Sequence, residues 1–90
     1  MRLKICGRSY TVRRGSIPGN FGLCDPCNAV ITIADDLEEH TNMSPALIEL
    51  HEIIHAVLHE TGLTCVLTDK TEEAITHGLA IQLHGLGYRR

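Results

Sequence analysis

Hydrophobic residues recur at helical spacing between Ser44 and Gly62, with no glycine or proline after Pro45 to interrupt them. At 100° per residue, several of them share one face, and these are Leu47, Leu50, Ile54, Val57 and Leu58. Ser44 suits the N-cap position, Pro45 suits the first helical position, and Gly62 supplies a stop. The pattern predicts one long amphipathic helix over residues 45–60.

Shorter segments alternate in polarity or carry β-branched residues, and they predict strands. Leu3–Cys6 and Tyr10–Arg13 flank Gly7, which predicts a hairpin, and residues 29–34 form the strongest strand of the chain. Residues 14–22 contain three glycines and a proline, which predicts a loop.

Two further segments complete the predicted order. Residues 35–40 are acidic and predict a turn or a short helix, and Thr71 can cap a last helix over about residues 71–84. The order strand, strand, strand, helix, helix predicts a single α+β domain over residues 1–90. In it, a small antiparallel sheet of about three strands packs on the long helix.

Composition narrows the class of protein. The 90 residues carry a net charge of -3, with 43% hydrophobic and 21% charged residues, which is typical of one small globular domain. The basic residues near the N-terminus alternate as on a solvated sheet face, so nothing predicts a nucleic-acid partner. No segment has the apolar length of a membrane span or a signal peptide, which predicts a cytoplasmic protein without a membrane partner.

The chemistry of the predicted helix centres on His51-Glu52-Ile53-Ile54-His55. Two histidines four residues apart lie one above the other on a helix, so both imidazoles can reach one metal ion. Glu52 lies to the side, where its carboxylate can take a proton from water without binding the metal. This is the arrangement of the H-E-x-x-H zinc peptidases. The alternative is that both histidines are ordinary half-buried residues.

A catalytic zinc site usually takes a third protein ligand from another element. The metzincin continuation would need Gly and His where the chain has Leu58 and Thr61. The next candidates lie in the second predicted helix, namely Glu72, Glu73 and His77, and His59 is a further possibility on the first helix.

The segment Leu50–Glu60, followed downstream by Glu72-Glu73-Ala74, resembles the gluzincins, and in particular the short ImmA/IrrE-type metallopeptidases that phages encode. The resemblance covers roughly residues 28 to 83. It implies that His51, His55 and Glu73 bind Zn²⁺ and that Glu52 is the general base. It also gives His77 the spacing of an Asp that orients a zinc ligand in thermolysin-like enzymes. Whether Glu72 or Glu73 is the ligand stays open.

The predicted function is zinc-dependent hydrolysis of a protein or peptide substrate. The strand at residues 29–34 is expected either to receive that substrate as an edge strand or to be an interior strand. Four side chains are candidates for stabilising the oxyanion: His59, His77, His84 and Tyr88. Two alternatives remain, a metal-stabilised protein-binding module without catalysis and an SprT-like protease whose third ligand is His77 or His84.

The four cysteines are expected to be thiols in a reducing compartment. Cys24 and Cys27 have the C-x-x-C spacing of a metal site, which Cys6 or Cys65 would have to complete. The alternative is a proline-containing loop with partly buried thiols.

Overall fold

The computed structural model of the protein describes residues 1–88, which form an α+β fold with one sheet. In that part of the chain there are four strands, three α-helices and one short 3₁₀ turn. The strands are β1 (Arg2–Ile5), β2 (Arg8–Gly15), β3 (Gly22–Asp25) and β4 (Val30–Ala34); the helices are α1 (Leu37–His40), α2 (Pro45–Glu60) and α3 (Asp69–Gly85), with the 3₁₀ turn at Leu63–Cys65.

The sheet has the order β1-β2-β4-β3 and is mixed. Strands β1 and β2 form the predicted hairpin, but β2 and β4 pair in parallel, so the prediction of a three-stranded antiparallel sheet was wrong. The reason is β3, which lies within and just after the predicted glycine-rich loop and was not predicted. Strand β3 pairs antiparallel with β4. The chain passes beyond the position of β4 to form β3 and then turns back, so that β4 lies between β2 and β3.

Strand β4 confirms the strand predicted at residues 29–34 and places it inside the sheet. It has a neighbour on each side, and Ile31 and Ile33 are buried in the main core. Of the two alternatives for this segment, the interior strand is confirmed and the free edge for a substrate is wrong, because its backbone groups already pair with β2 and β3. Within residues 1–88, the free edges of the sheet are β1 and β3.

Helix α2 has the predicted bounds, and the Ser44 side chain accepts a hydrogen bond from the Leu47 N–H at 3.1 Å. The helix buries more than one stripe because it lies between the sheet and α3. Ile48 and Ala56 pack into the sheet core, whereas Ile54 and Leu58 pack with Ala80 of α3.

Helix α3 begins earlier than predicted. Its N-cap is Thr68, whose hydroxyl accepts a hydrogen bond from the Thr71 N–H at 3.1 Å, so Thr71 lies inside the helix rather than capping it. The polar residues after Thr68 form the first turn because that side chain satisfies a backbone donor there. No helix in residues 1–88 has the length and apolarity needed to cross a membrane.

The C-terminal end of α2 is attached to the sheet through Glu60. Its carboxylate accepts hydrogen bonds from the buried Tyr10 hydroxyl at 2.7 Å and from Arg8 Nη1 at 3.0 Å. These two bonds hold the pKa of Glu60 below its usual range, and the bond from Tyr10 has the larger effect. They hold the helix that carries the histidines against β2.

Candidate metal centre

The structure brings His51, His55 and Glu73 together between α2 and α3. His51 Nε2 lies 2.8 Å from Glu73 Oε1, and His55 Nε2 lies 3.2 Å from Glu73 Oε2. One donor atom from each residue lies within 4.8 Å of the other two. Two imidazoles and one carboxylate therefore converge on a single point.

This donor set fits a zinc-type metal. Two histidine nitrogens and a carboxylate are a known ligand set of catalytic zinc, at metal–ligand distances of about 2.0–2.2 Å. Tetrahedral geometry at those distances separates neighbouring donors by about 3.3 Å. The two histidines contact different oxygens of Glu73, and one donor atom from each of the three residues lies within 4.8 Å of the other two, which is compatible with a single metal ion. Among the described residues, His77 does not join this cluster, which therefore offers three candidate ligands.

Glu72 and Glu73 take different positions. Glu73 faces both Nε2 atoms, whereas Glu72 Oε2 lies 2.7 Å from Nδ1, the other ring nitrogen of His55. A carboxylate on the far nitrogen fixes the orientation of the ring and makes its metal-facing nitrogen more basic. The geometry therefore favours Glu73 as the ligand and Glu72 as the residue that orients His55.

Replacing Glu72 by Ala is expected to weaken metal binding by roughly 10- to 100-fold, because the His55 ring loses its orienting partner. Competition with a chelator that reports Zn²⁺ measures the affinity. Asp69→Ala is the matched control, since Asp69 is also an acid in the first turn of α3 and lies outside the cluster. Equal affinities in wild type and Glu72→Ala would contradict the orienting role.

Glu52 is buried beside this cluster, with 8% of its surface exposed, on the flank of the helix where the helical pattern placed it. Strand β3 covers it: a Cβ built on Gly22 would lie only 2.9 Å from Glu52 Oε2. Burial raises the pKa of Glu52 to about 7; the electrostatic effect of His55 opposes the rise, and that of Glu73 adds to it. A carboxylate with a pKa near neutrality is suited to accept and return a proton.

The burial of Glu52 also makes the stability of the metal-free protein depend on pH. The pKa of Glu52 is raised from 4.5 to about 7 on folding, so the folded state binds its proton more tightly than the unfolded state. The free energy of unfolding therefore falls as pH rises through this interval, by about 3 kcal/mol in total. Urea titrations of chelator-treated wild type and Glu52→Gln from pH 4 to 8 would show the difference. If the unfolding free energies of the two proteins changed in parallel with pH, this contribution of Glu52 would be refuted.

Gly22 permits the close approach of β3 to α2. Besides Glu52, an added Cβ would meet Ile48 Cγ2 at 2.7 Å. We expect Gly22→Ala to destabilise the protein by about 1–3 kcal/mol and to displace the Glu52 carboxylate, because the backbone contact leaves no room. Gly78→Ala in α3 is the control: its Cβ would meet nothing within 4 Å, and alanine favours a helix. Urea denaturation measures both, and equal stabilities for the two variants would contradict the packing argument.

A cleft of about 460 Å³ opens over the cluster. Its floor is α2, one wall is β3 with the preceding loop, and the opposite wall is α3. His59 and His77 line it, and the His77 ring lies 6.0 Å from that of His51. His84 Nε2 instead lies 3.1 Å from Ser44 Oγ at the start of α2, and Tyr88 lines a different groove. Of the candidate oxyanion donors, His59 and His77 are thus the ones beside the cluster.

The cysteines do not assemble into a comparable site. Within residues 1–88, no group of three metal-binding side chains includes a cysteine, and all four are free thiols. Cys24 lies on β3 and lines the cleft, and burial raises the pKa of its thiol to about 12. It therefore contributes an uncharged wall.

Comparisons of this chain with protein families, with curated proteins and with solved structures find no match.

Proposed function

We propose that this protein is a zinc-dependent metallopeptidase. The observation that supports this best is the placement of a buried carboxylate, Glu52, beside a three-donor cluster at the floor of an open cleft. A purely structural metal site needs neither an open cleft nor a further buried carboxylate beside its donors. An open cleft admits a substrate, and a carboxylate beside the donors can accept a proton from water.

His51, His55 and Glu73 would hold Zn²⁺, and Glu72 would orient His55. When bound, zinc supplies Lewis acidity that brings the pKa of water toward neutrality. Glu52 then accepts the proton as water attacks the scissile carbonyl carbon, and it returns that proton to the leaving amine as the C–N bond breaks. His77, whose ring lies 6.0 Å from that of His51 on the α3 wall, would donate a hydrogen bond to the carbonyl oxygen.

The substrate is expected to be an extended peptide that pairs with β3. This strand is a free edge of the sheet, and Gly22 and Cys24 form part of the cleft wall. Main-chain hydrogen bonds to β3 would hold a peptide along the cleft, beside Glu52. Strand β3 thus takes the substrate-binding role considered for residues 29–34, since that segment is an interior strand.

Elemental analysis of purified wild type, His51→Ala and Cys24→Ala tests the metal site. We expect one zinc per chain, lost in His51→Ala and retained in Cys24→Ala. The wild type should then cleave members of a quenched-fluorescent peptide library, stop on chelation and resume when Zn²⁺ is added. Zinc binding without cleavage of any peptide would favour the metal-stabilised binding module. Absence of zinc, even after reconstitution, would contradict both functions.

A further inference from the structure

A second groove, of about 370 Å³, lies at the opposite edge of the sheet from the metal centre, between β1 and α2. Leu3 and Ile5 line it from the strand. Leu50, Ile53 and Val57 line it from the helix, and Val57 remains 36% exposed. The apolar side of α2 thus continues past the last strand of the sheet, at the place where a further strand would cover it.

The backbone of β1 is open along this groove. Antiparallel pairing turns alternate residues toward the neighbouring strand. The Val12 N–H donates to the Met1 C=O at 2.8 Å, so Met1 faces β2, and Leu3 and Ile5 share its orientation. The main-chain groups of Arg2 and Lys4 therefore point away from β2, where residues 1–88 provide no further strand.

The charged side chains of β1 indicate which kind of strand can pair with its open edge. The side chains of Arg2 and Lys4 are exposed on the open face of the sheet, on the side of their β2 partners Thr11 and Ser9. If β1 of a second copy paired antiparallel with this strand, its Arg2 and Lys4 would face these same cations, and like charges in opposing positions are unfavourable. Carboxylates in those positions would be favourable.

We propose that β1 is a docking strand for an extended segment of a partner protein in which acidic and apolar residues alternate. The segment would add as a fifth strand. Its apolar side chains would enter the groove against Leu50 and Val57, and its carboxylates would lie beside Arg2 and Lys4. This surface is separate from the metal centre and does not depend on metal binding.

The other free edge lacks these cations. On β3, the positions on the open face of the sheet are Leu23 and Asp25. A glutamate of an added peptide would lie beside Asp25 there rather than beside a cation, so a peptide with alternating glutamates should prefer β1 and a peptide with alternating lysines should prefer β3. One sheet thus provides both the site and its internal control.

The test uses the ¹⁵N-labelled full chain and two capped synthetic peptides, one of alternating valine and glutamate and one of alternating valine and lysine. The valine–glutamate peptide should shift the amide resonances of Arg2–Ile5 and of the α2 residues in the groove. The variant R2E/K4E should weaken its binding by about tenfold and strengthen that of the valine–lysine peptide. Lys70→Glu, at the start of α3, is the control for a charge reversal away from β1 and should leave both affinities unchanged.

Several results would overturn the proposal. These are the absence of shifts in β1 at millimolar peptide, shifts confined to β3, or equal affinities in wild type and R2E/K4E. A concentration-dependent dimer that includes β1 would also overturn it, since a second copy would then be the occupant. We expect R2E/K4E to fold, because both substituted side chains are exposed, and circular dichroism checks this.

Discussion

Replacing Glu73 by Ala is expected to abolish stoichiometric zinc binding, whereas His77→Ala should retain it. Glu73 is the residue that contacts Nε2 of both histidines, at 2.8 and 3.2 Å, and its removal leaves two protein ligands. Loss of a direct ligand should cost more than the roughly 10- to 100-fold in affinity typical of losing an orienting partner. Elemental analysis and chelator competition measure the loss.

His77→Ala is the matched control because it removes a side chain from the next turn of the same helix and the same cleft wall. It also distinguishes the two types of zinc protease. If His77→Ala lost the metal and Glu73→Ala kept it, the site would be of the three-histidine type and the ligand assignment would be wrong. If neither variant lost zinc, the metal would lie elsewhere.

Replacing Glu52 by Gln is expected to lower kcat by about 10²–10⁴-fold while zinc content stays at the level of the wild type. The amide has nearly the same shape as the carboxylate but cannot accept the proton from water. The measurement is kcat on the reporter peptide that the wild type cleaves fastest, together with zinc per chain. Glu49→Gln is the matched control, since it makes the same change on the same helix outside the cleft.

This variant separates catalysis from metal binding. Retained hydrolysis by Glu52→Gln would contradict the general-base role even if the zinc site is correct. Loss of zinc from Glu52→Gln would instead show that Glu52 supports the metal site. The pH dependence of the unfolding free energy of the metal-free protein gives an independent readout of the same side chain, because it does not require a substrate.

Local features of the chain were predictable. The bounds of α2 followed from Ser44, Pro45 and Gly62, which act on backbone groups within one turn of themselves. The hairpin of β1 and β2 and the strand β4 followed from alternation and β-branched residues. The proximity of the His51 and His55 rings followed from helical periodicity alone.

Strand β3 was not predictable, and it determines the cleft. Its residues, Gly22-Leu23-Cys24-Asp25, include two types that are rare in strands, and they form one because β4 offers its edge. The burial of Glu52 has the same cause, since the helical pattern placed it on a flank and β3 then covered that flank.

The sequence by itself therefore determined the helix, the spacing of its two histidines and the presence of candidate acids on a second helix. Only the tertiary structure decided which acid meets which nitrogen, that Glu52 is buried, and which strands are the edges of the sheet. The physical reason is the separation along the chain over which each interaction acts. Capping and periodicity act between residues a few positions apart, whereas Glu52 meets Gly22, and His55 meets Glu72, only after distant segments have packed together.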